Sequence, residues 1–228
     1  MAGNLFSADS PISKGLTKIG ELVIVSLLWF VTSLPIITIG ASTTALYYAV
    51  AKCLRMGRGY IVKEYFRSWK QNLIKSVIVT LILGGIFLLV WSTSTDLSAM
   101  LQDMIANGAR SVFAKDGGKY YGSYLVFAVL ILFLGMMFCY IFPLLSRFDL
   151  PLPKLFAISF VFVIKYIFYS VAMLVILVGM GYFVIRLPLG MMFAPGLWAL
   201  LCSFLVEKPL KSITPEPGED EDAWWMRL

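Results

Sequence analysis

The sequence predicts an all-α, polytopic transmembrane helix bundle. Three observations carry this. Only 14% of the 228 residues are charged, where a soluble domain carries about 25%. The mean hydropathy is +0.85, and the uncharged residues gather into long runs, as membrane helices of about 20 residues require. Lys and Arg lie mainly at the ends of those runs, the pattern of the positive-inside rule. That placement removes nucleic acid as a partner despite a net charge of +6.

The run at residues 22–51 has no charge and is interrupted at its centre by Leu34-Pro35-Ile36-Ile37-Thr38-Ile39-Gly40-Ala41-Ser42-Thr43-Thr44-Ala45. Proline lacks the backbone donor and turns the preceding residue away from helix. Thirty residues are few for two crossings. Extension to about residue 16 and residue 55 makes a pair, because Lys14, Lys18, Lys52 and Arg55 can extend to the interface. Helices at 16–34 and 38–55 then flank a turn at 35–37. The alternative is one long kinked helix. The apolar run continues past Gly40-Ala41-Ser42, so a leader cleaved there is not expected.

Residues 52–75 hold Lys52, Arg55, Arg58, Lys63, Arg67, Lys70 and Lys75 against the single acid Glu64, the strongest cytoplasmic signal in the chain. After a break at Gly57 and Gly59, residues 60–73 read as an amphipathic helix. Val62, Tyr65, Phe66, Trp69 and Leu73 share one face, and Lys63, Arg67 and Lys70 another. A span is expected over 73–91, ending at Trp91, then a separate short helix over 97–105 on the outer side, closed by Asn107-Gly108. Spans over 124–145, 166–185 and 189–206 complete the count, with a basic inner loop at 146–154 and a brief outer turn at 186–188. The total is six spans with both termini cytoplasmic. The kinked first helix gives five, with the N-terminus outside.

The domain division is a transmembrane domain over 1–207 and an acidic tail over 208–228. The tail holds Pro209, Pro215, Pro217 and the block Glu219-Asp220-Glu221-Asp222, a composition that reads as disordered. Trp224 and Trp225 offer a partner or membrane contact, with a solvated tail as the plainer reading.

Three groups of residues are candidates for function. The first is the intramembrane polar cluster Pro35, Thr38, Gly40, Ser42, Thr43 and Thr44. Small and hydroxyl residues let membrane helices approach closely and satisfy backbone groups; packing is the plainer reading, a polar solute path the other. The second is the cytoplasmic helix with Lys63, Phe66, Arg67, Trp69 and Lys70. It suits docking on anionic lipid or on a soluble partner, against a plain positive-inside anchor. The third is Lys165, the lone charge in 155–185. It is either a deep charge needing a partner or, with a span starting near Tyr166, one that reaches the inner surface.

Catalysis is not expected. The chain has no histidine, the commonest general base and metal ligand. Cys53, Cys139 and Cys202 have neither metal-site nor redox spacing and read as small buried hydrophobes. No carboxylate pair sits at membrane depth, and no glycine-rich loop matches a nucleotide motif. No catalytic, cofactor or metal residues are assigned, and no cofactor is expected.

The segment from Trp29 through Tyr48, with Pro35-Ile36-Ile37-Thr38-Ile39-Gly40-Ala41 at its heart, resembles the YesL-like family of bacterial integral membrane proteins, a domain of unknown function. Tyr65-Phe66, Lys70-Gln71-Asn72 and Tyr140-Ile141-Phe142-Pro143-Leu144-Leu145-Ser146-Arg147-Phe148 are similar to its pattern as well, over roughly residues 5–206. The resemblance implies a multi-pass protein of the bacterial cytoplasmic membrane. It also implies an accessory role in carbohydrate uptake, with the lipid bilayer and sugar ABC-transporter subunits as partners. A membrane scaffold or sensor recruiting cytosolic partners is the alternative.

Overall fold

The computed structural model describes residues 11–106 and 117–213. Among these, the regular structure is entirely helical: α1 (Pro11–Thr32), a 3-10 turn (Ile36–Thr38), α2 (Ile39–Ala49) continuing as a π-turn (Val50–Arg55), α3 (Ile61–Ala106), α4 (Gly117–Arg147), α5 (Leu152–Lys165), α6 (Ile167–Arg186), a 3-10 turn (Pro188–Met192) and α7 (Ala194–Lys211). The all-α membrane bundle read from composition is what forms. Four helical segments are long and apolar enough to cross a membrane: Gly15–Thr32, Ile61–Asp96, Gly122–Arg147 and Ile167–Arg186. Their outward faces are apolar, as at Val31, Leu88, Leu89, Val129, Val175 and Ile185, which suits lipid.

α2 lies at the centre. Gly40 through Tyr47 and Ala49 are buried, and α2 packs against α1, α3, α4 and α7. The chain reverses at residues 33–38, as Pro35 predicts. Thr38 Oγ1 lies 2.6 and 2.7 Å from the Thr32 and Pro35 carbonyls; the Pro35 carbonyl already accepts from Thr38 N, and the Thr32 carbonyl is among the acceptors open where α1 ends.

The second reversal rests on glycine. Gly57 (φ 64°) and Gly59 (φ 83°) occupy the left-handed region, which costs other residues roughly 1–2 kcal/mol. A Cβ on Gly59 would also come within 3.1 Å of Glu64 Cγ. Gly57→Ala and Gly59→Ala are each expected to lower stability by about 1–2 kcal/mol in detergent unfolding titrations. Wild-type midpoints would refute the left-handed turn.

α3 corrects the sequence reading. The basic helix, the span and the short outer helix are one continuous helix of 46 residues, about 69 Å long against a hydrocarbon core of about 30 Å. Polarity changes along it, but nothing breaks it. Gly84 and Gly85 cost only about 1 kcal/mol each. The hydroxyl-rich stretch stays helical because Thr93 and Ser98 donate back to the Leu89 and Thr95 carbonyls, within the same helix. Asn107-Gly108 lies outside the described residues. The expected hydrophobic face of the basic stretch is also corrected. Tyr65 is buried, whereas Val62 and Phe66 are 43% and 38% exposed, because the face turned to the bundle runs through Ile61, Glu64, Tyr65 and Ser68.

α4 carries Pro143 within it, held by buried neighbours from Ile141 to Leu145. α5 approaches along α4, and the backbone breaks at Tyr166 (φ −117°, ψ 44°) before α6. Ser170 Oγ lies 3.0 Å from the Tyr166 carbonyl, which also accepts from Ser170 N at 3.0 Å. The last helix starts at Ala194, later than residue 189, after the 3-10 turn. It continues to Lys211 with Pro209 and Leu210 buried, so the first four residues assigned to the tail belong to the bundle. Residues 214–228, with the acidic block and Trp224-Trp225, lie outside the described residues.

Candidate functional site

Two polar layers join the helices. The first is the α2 segment singled out from sequence. At Gly40, α2 meets the backbone of α3 and the Phe142 ring of α4. An added Cβ would fall onto Thr80 Oγ1, 2.7 Å from Phe142 Cε1 and 3.0 Å from the Ser76 carbonyl oxygen. Ser42, Thr43 and Thr44 donate to the carbonyls four residues earlier at 3.0, 2.8 and 2.8 Å. Thr43 Oγ1 also accepts from Trp29 Nε1 at 3.2 Å, and Thr44 and Ser76 hydroxyls lie 3.3 Å apart. Thr38 is half-buried, and Pro35 is exposed at the turn. The hydroxyls are thus used within the protein, on backbone acceptors and on neighbouring helices.

α1 and α3 are joined at the same level by the Thr32 and Tyr65 hydroxyls, 2.6 Å apart. Either hydroxyl can donate, and Thr32 Oγ1 also lies 2.8 Å from the Leu28 carbonyl. Tyr65→Phe is expected to cost about 1 kcal/mol, read as a lower unfolding midpoint, while Phe66→Leu on the exposed side leaves it within 0.5 kcal/mol, about the spread of surface substitutions.

The second layer was not found from sequence. It joins Tyr47 and Arg55 at the lower part of α2, Arg147 at the end of α4 and Glu207 in α7. Arg147 Nη1 donates to Glu207 Oε2 at 3.0 Å, and its Nη2 bonds Glu207 Oε1 and the Tyr47 hydroxyl. Tyr47 donates to Glu207 Oε1 at 3.2 Å. Arg55 Nη1 donates to the Ser203 carbonyl at 2.9 Å and lies 3.5 Å from Glu207 Oε1. The Arg147 and Glu207 side chains are only 2% and 7% exposed. Two guanidiniums share one carboxylate, so this cluster carries one excess positive charge. Beside it, Lys52 Nζ pairs with Glu64 at 2.8 Å across the Gly57–Gly59 turn. The missed signal was Glu207 itself, an acid two residues before Pro209 that reads as the start of a polar tail.

This basic end of the bundle gathers the loops richest in Lys and Arg. Lys75 pairs with Asp149, and Lys208 donates to the Tyr169 hydroxyl at 2.9 Å. Among the described residues, Lys119 and Arg186 belong to segments toward the opposite end.

The docking candidates divide. Lys63, Phe66, Arg67 and Lys70 are exposed, and their i, i+3, i+4, i+7 spacing puts them on one face of α3. Trp69 is turned inward and packs on the core. Lys165 is exposed at the end of α5, with Nζ 5.4 Å from the Tyr166 ring centre. Cys53, Cys139 and Cys202 are free and buried. The layers supply hydrogen bonds and charge pairing between helices; the hydroxyls point at backbone, and the carboxylates at cations.

Residues 22–92 match the model of a family described as "Protein of unknown function, DUF624". The match takes in the second half of α1, the whole of α2 and the first two-thirds of α3, and so the polar segment and the basic stretch of α3. No curated protein and no solved structure matches the chain.

Proposed function

We propose that the chain is a non-catalytic accessory protein of the bacterial cytoplasmic membrane that docks a partner on the basic end of its bundle. The observation that carries this is the continuous exposed face of Lys63, Phe66, Arg67 and Lys70. It stands on a helix that extends past the membrane core, while α2 and the ion cluster occupy the bundle's interior with side chains paired to one another. Three cations around one aromatic ring suit an acidic protein surface.

The resemblance to the YesL-like family supports the more specific form, an accessory component of carbohydrate uptake. The partner is then a sugar ABC-transporter subunit. The second reading is a scaffold or sensor that recruits cytosolic proteins through the same face.

Affinity capture of the detergent-solubilised protein separates the two readings. Recovery of transporter permease or ATPase subunits supports the first, and recovery of cytosolic regulators alone supports the second. The triple variant Lys63→Glu, Arg67→Glu, Lys70→Glu is expected to lower recovery at least tenfold. Undiminished recovery would sink the docking face in either form.

The same reading takes six crossings, with α2 and α7 added to the four long apolar helices, and both termini in the cytoplasm. A Gly3→Cys variant is then labelled by an impermeant maleimide only after permeabilisation. The native cysteines are buried, so their background is low. Labelling of intact cells would leave five crossings.

A further inference from the structure

We propose that the groove between α1 and α7 at the basic end is a binding site for one anionic phospholipid. This rests on the membrane embedding of the bundle and not on the docking face of α3.

The groove has a structural origin. α1 and α7 close on each other where Gly196 N donates to Ser26 Oγ at 3.0 Å. There a Cβ on Gly196 would sit 2.6 Å from Ser26 Oγ and 3.0 Å from the Leu22 carbonyl oxygen. From that closed point the space between the helices opens toward the basic end, floored by the π-turn of α2. The resulting cavity is about 610 Å³, lined on its walls by Leu22, Leu54, Leu197, Leu200 and Phe204. Its polar lining is cationic: Lys18 from α1 and Arg55 from the π-turn. Among the described residues no acid lines it; Glu21, one turn along α1 from Lys18, is half-buried outside the lining.

Arg55 is held in a way that leaves it a donor edge. Its hydrogen bonds all run from Nη1, to the Ser203 carbonyl and hydroxyl. A guanidinium has five N–H donors in a rigid fork. The Nε and Nη2 edge therefore remains for an acceptor in the groove, while the Cζ packs 4.3 Å from the Phe204 ring centre. Glu207, the carboxylate 3.5 Å from it, is already bonded twice by Arg147, so Arg55 shares its counter-charge with a second cation. Phosphate suits a guanidinium edge.

The apolar walls select the source of that phosphate. Free phosphate gains nothing from Leu22, Leu197 and Leu200, whereas an acyl chain does. Ile19 and Phe204, at the groove's rim, are 57% and 59% exposed on the lipid-facing side of the bundle, so a lipid enters laterally. Basic pockets between membrane helices are recognised headgroup sites.

Native mass spectrometry of the full chain in detergent, with phosphatidylglycerol and phosphatidylcholine of identical acyl chains, tests this. The expected result is one retained phosphatidylglycerol with roughly thirtyfold preference, from two cations at the surface. Lys18→Ala is expected to reduce that preference about fivefold, and Leu197→Trp, which fills the groove, to abolish retention. Arg55→Ala should do the same but also breaks the ion cluster, so Lys18→Ala and Leu197→Trp decide where it fails to fold. Glycerol phosphate added in excess should not displace the lipid. Equal retention of the two lipids, unchanged preference in Lys18→Ala and Leu197→Trp, or displacement by glycerol phosphate would overturn the site.

Discussion

Replacement of Glu207 by alanine is expected to destabilise the bundle by about 3–5 kcal/mol. The carboxylate answers Arg147 in two hydrogen bonds and receives the Tyr47 hydroxyl, and the partners are buried. Its loss leaves two guanidiniums facing each other without a counter-charge, and burial makes that costly. Breaking a buried pair on one side is worse than removing it whole. The double variant Arg147→Met, Glu207→Leu is therefore expected to recover at least half of the loss, Arg55 keeping its bond to the Ser203 carbonyl. Unfolding midpoints in mixed detergent–SDS micelles measure both. A Glu207→Ala midpoint within 0.5 kcal/mol of wild type, the ordinary range for surface changes, would show that the cluster does not hold α2, α4 and α7 together.

Gly40→Ala is expected to cost about 2–3 kcal/mol by overpacking. The methyl meets atoms of two helices at once, Thr80 and Ser76 on α3 and Phe142 on α4. Thr80 is β-branched with its hydroxyl bonded to the Ser76 carbonyl at 2.7 Å, so its rotamer is fixed. The Ser76 oxygen is backbone and moves only with α3, and Phe142 is fully buried. Gly84 and Gly85 provide the comparison, with no atom within 4 Å of an added Cβ. Gly84→Ala and Gly85→Ala should gain about 0.5–1 kcal/mol from helix propensity. Opposite signs at Gly40 and Gly84 would separate close packing from propensity. A neutral Gly40→Ala would mean that α2 and α3 stand further apart.

The legible parts of this fold were those set by a residue's own backbone or its immediate neighbours. Pro35 marks the first reversal because proline lacks a donor wherever it stands. Gly57 and Gly59 mark the second because glycine alone takes positive φ without strain. The break near Tyr166 followed from counting the length of one crossing. α3 misled for a related reason. The change from basic to apolar to hydroxyl-rich reports the surroundings of each stretch, and a helix passes through several surroundings without breaking. The amphipathic face of its first turns was placed by periodicity with Phe66 and Trp69 together, yet Phe66 is exposed and Trp69 packs on the core. Two aromatic stripes compete there, and the bundle chose the one containing Tyr65 and Ser68.

The polar sites divide in the same way. The residue types of the α2 segment announced tight packing, but their partners lie on α1, α3 and α4, Trp29 being 14 residues from Thr43 and Ser76 32 from Thr44. Glu207 sits among Val206, Lys208 and Pro209 and reads as the edge of a tail; Tyr47 and Arg147, 160 and 60 residues distant, make it the centre of a cluster. Hydropathy, charge asymmetry and turn chemistry are sums over adjacent residues, so the sequence by itself determined the membrane class, the helices and the end of the bundle where basic residues collect. Which helix is central and which charges pair depend on how each helix is rotated against its neighbours. That is settled only when side chains, Gly40 and Arg147 among them, are packed at interior density.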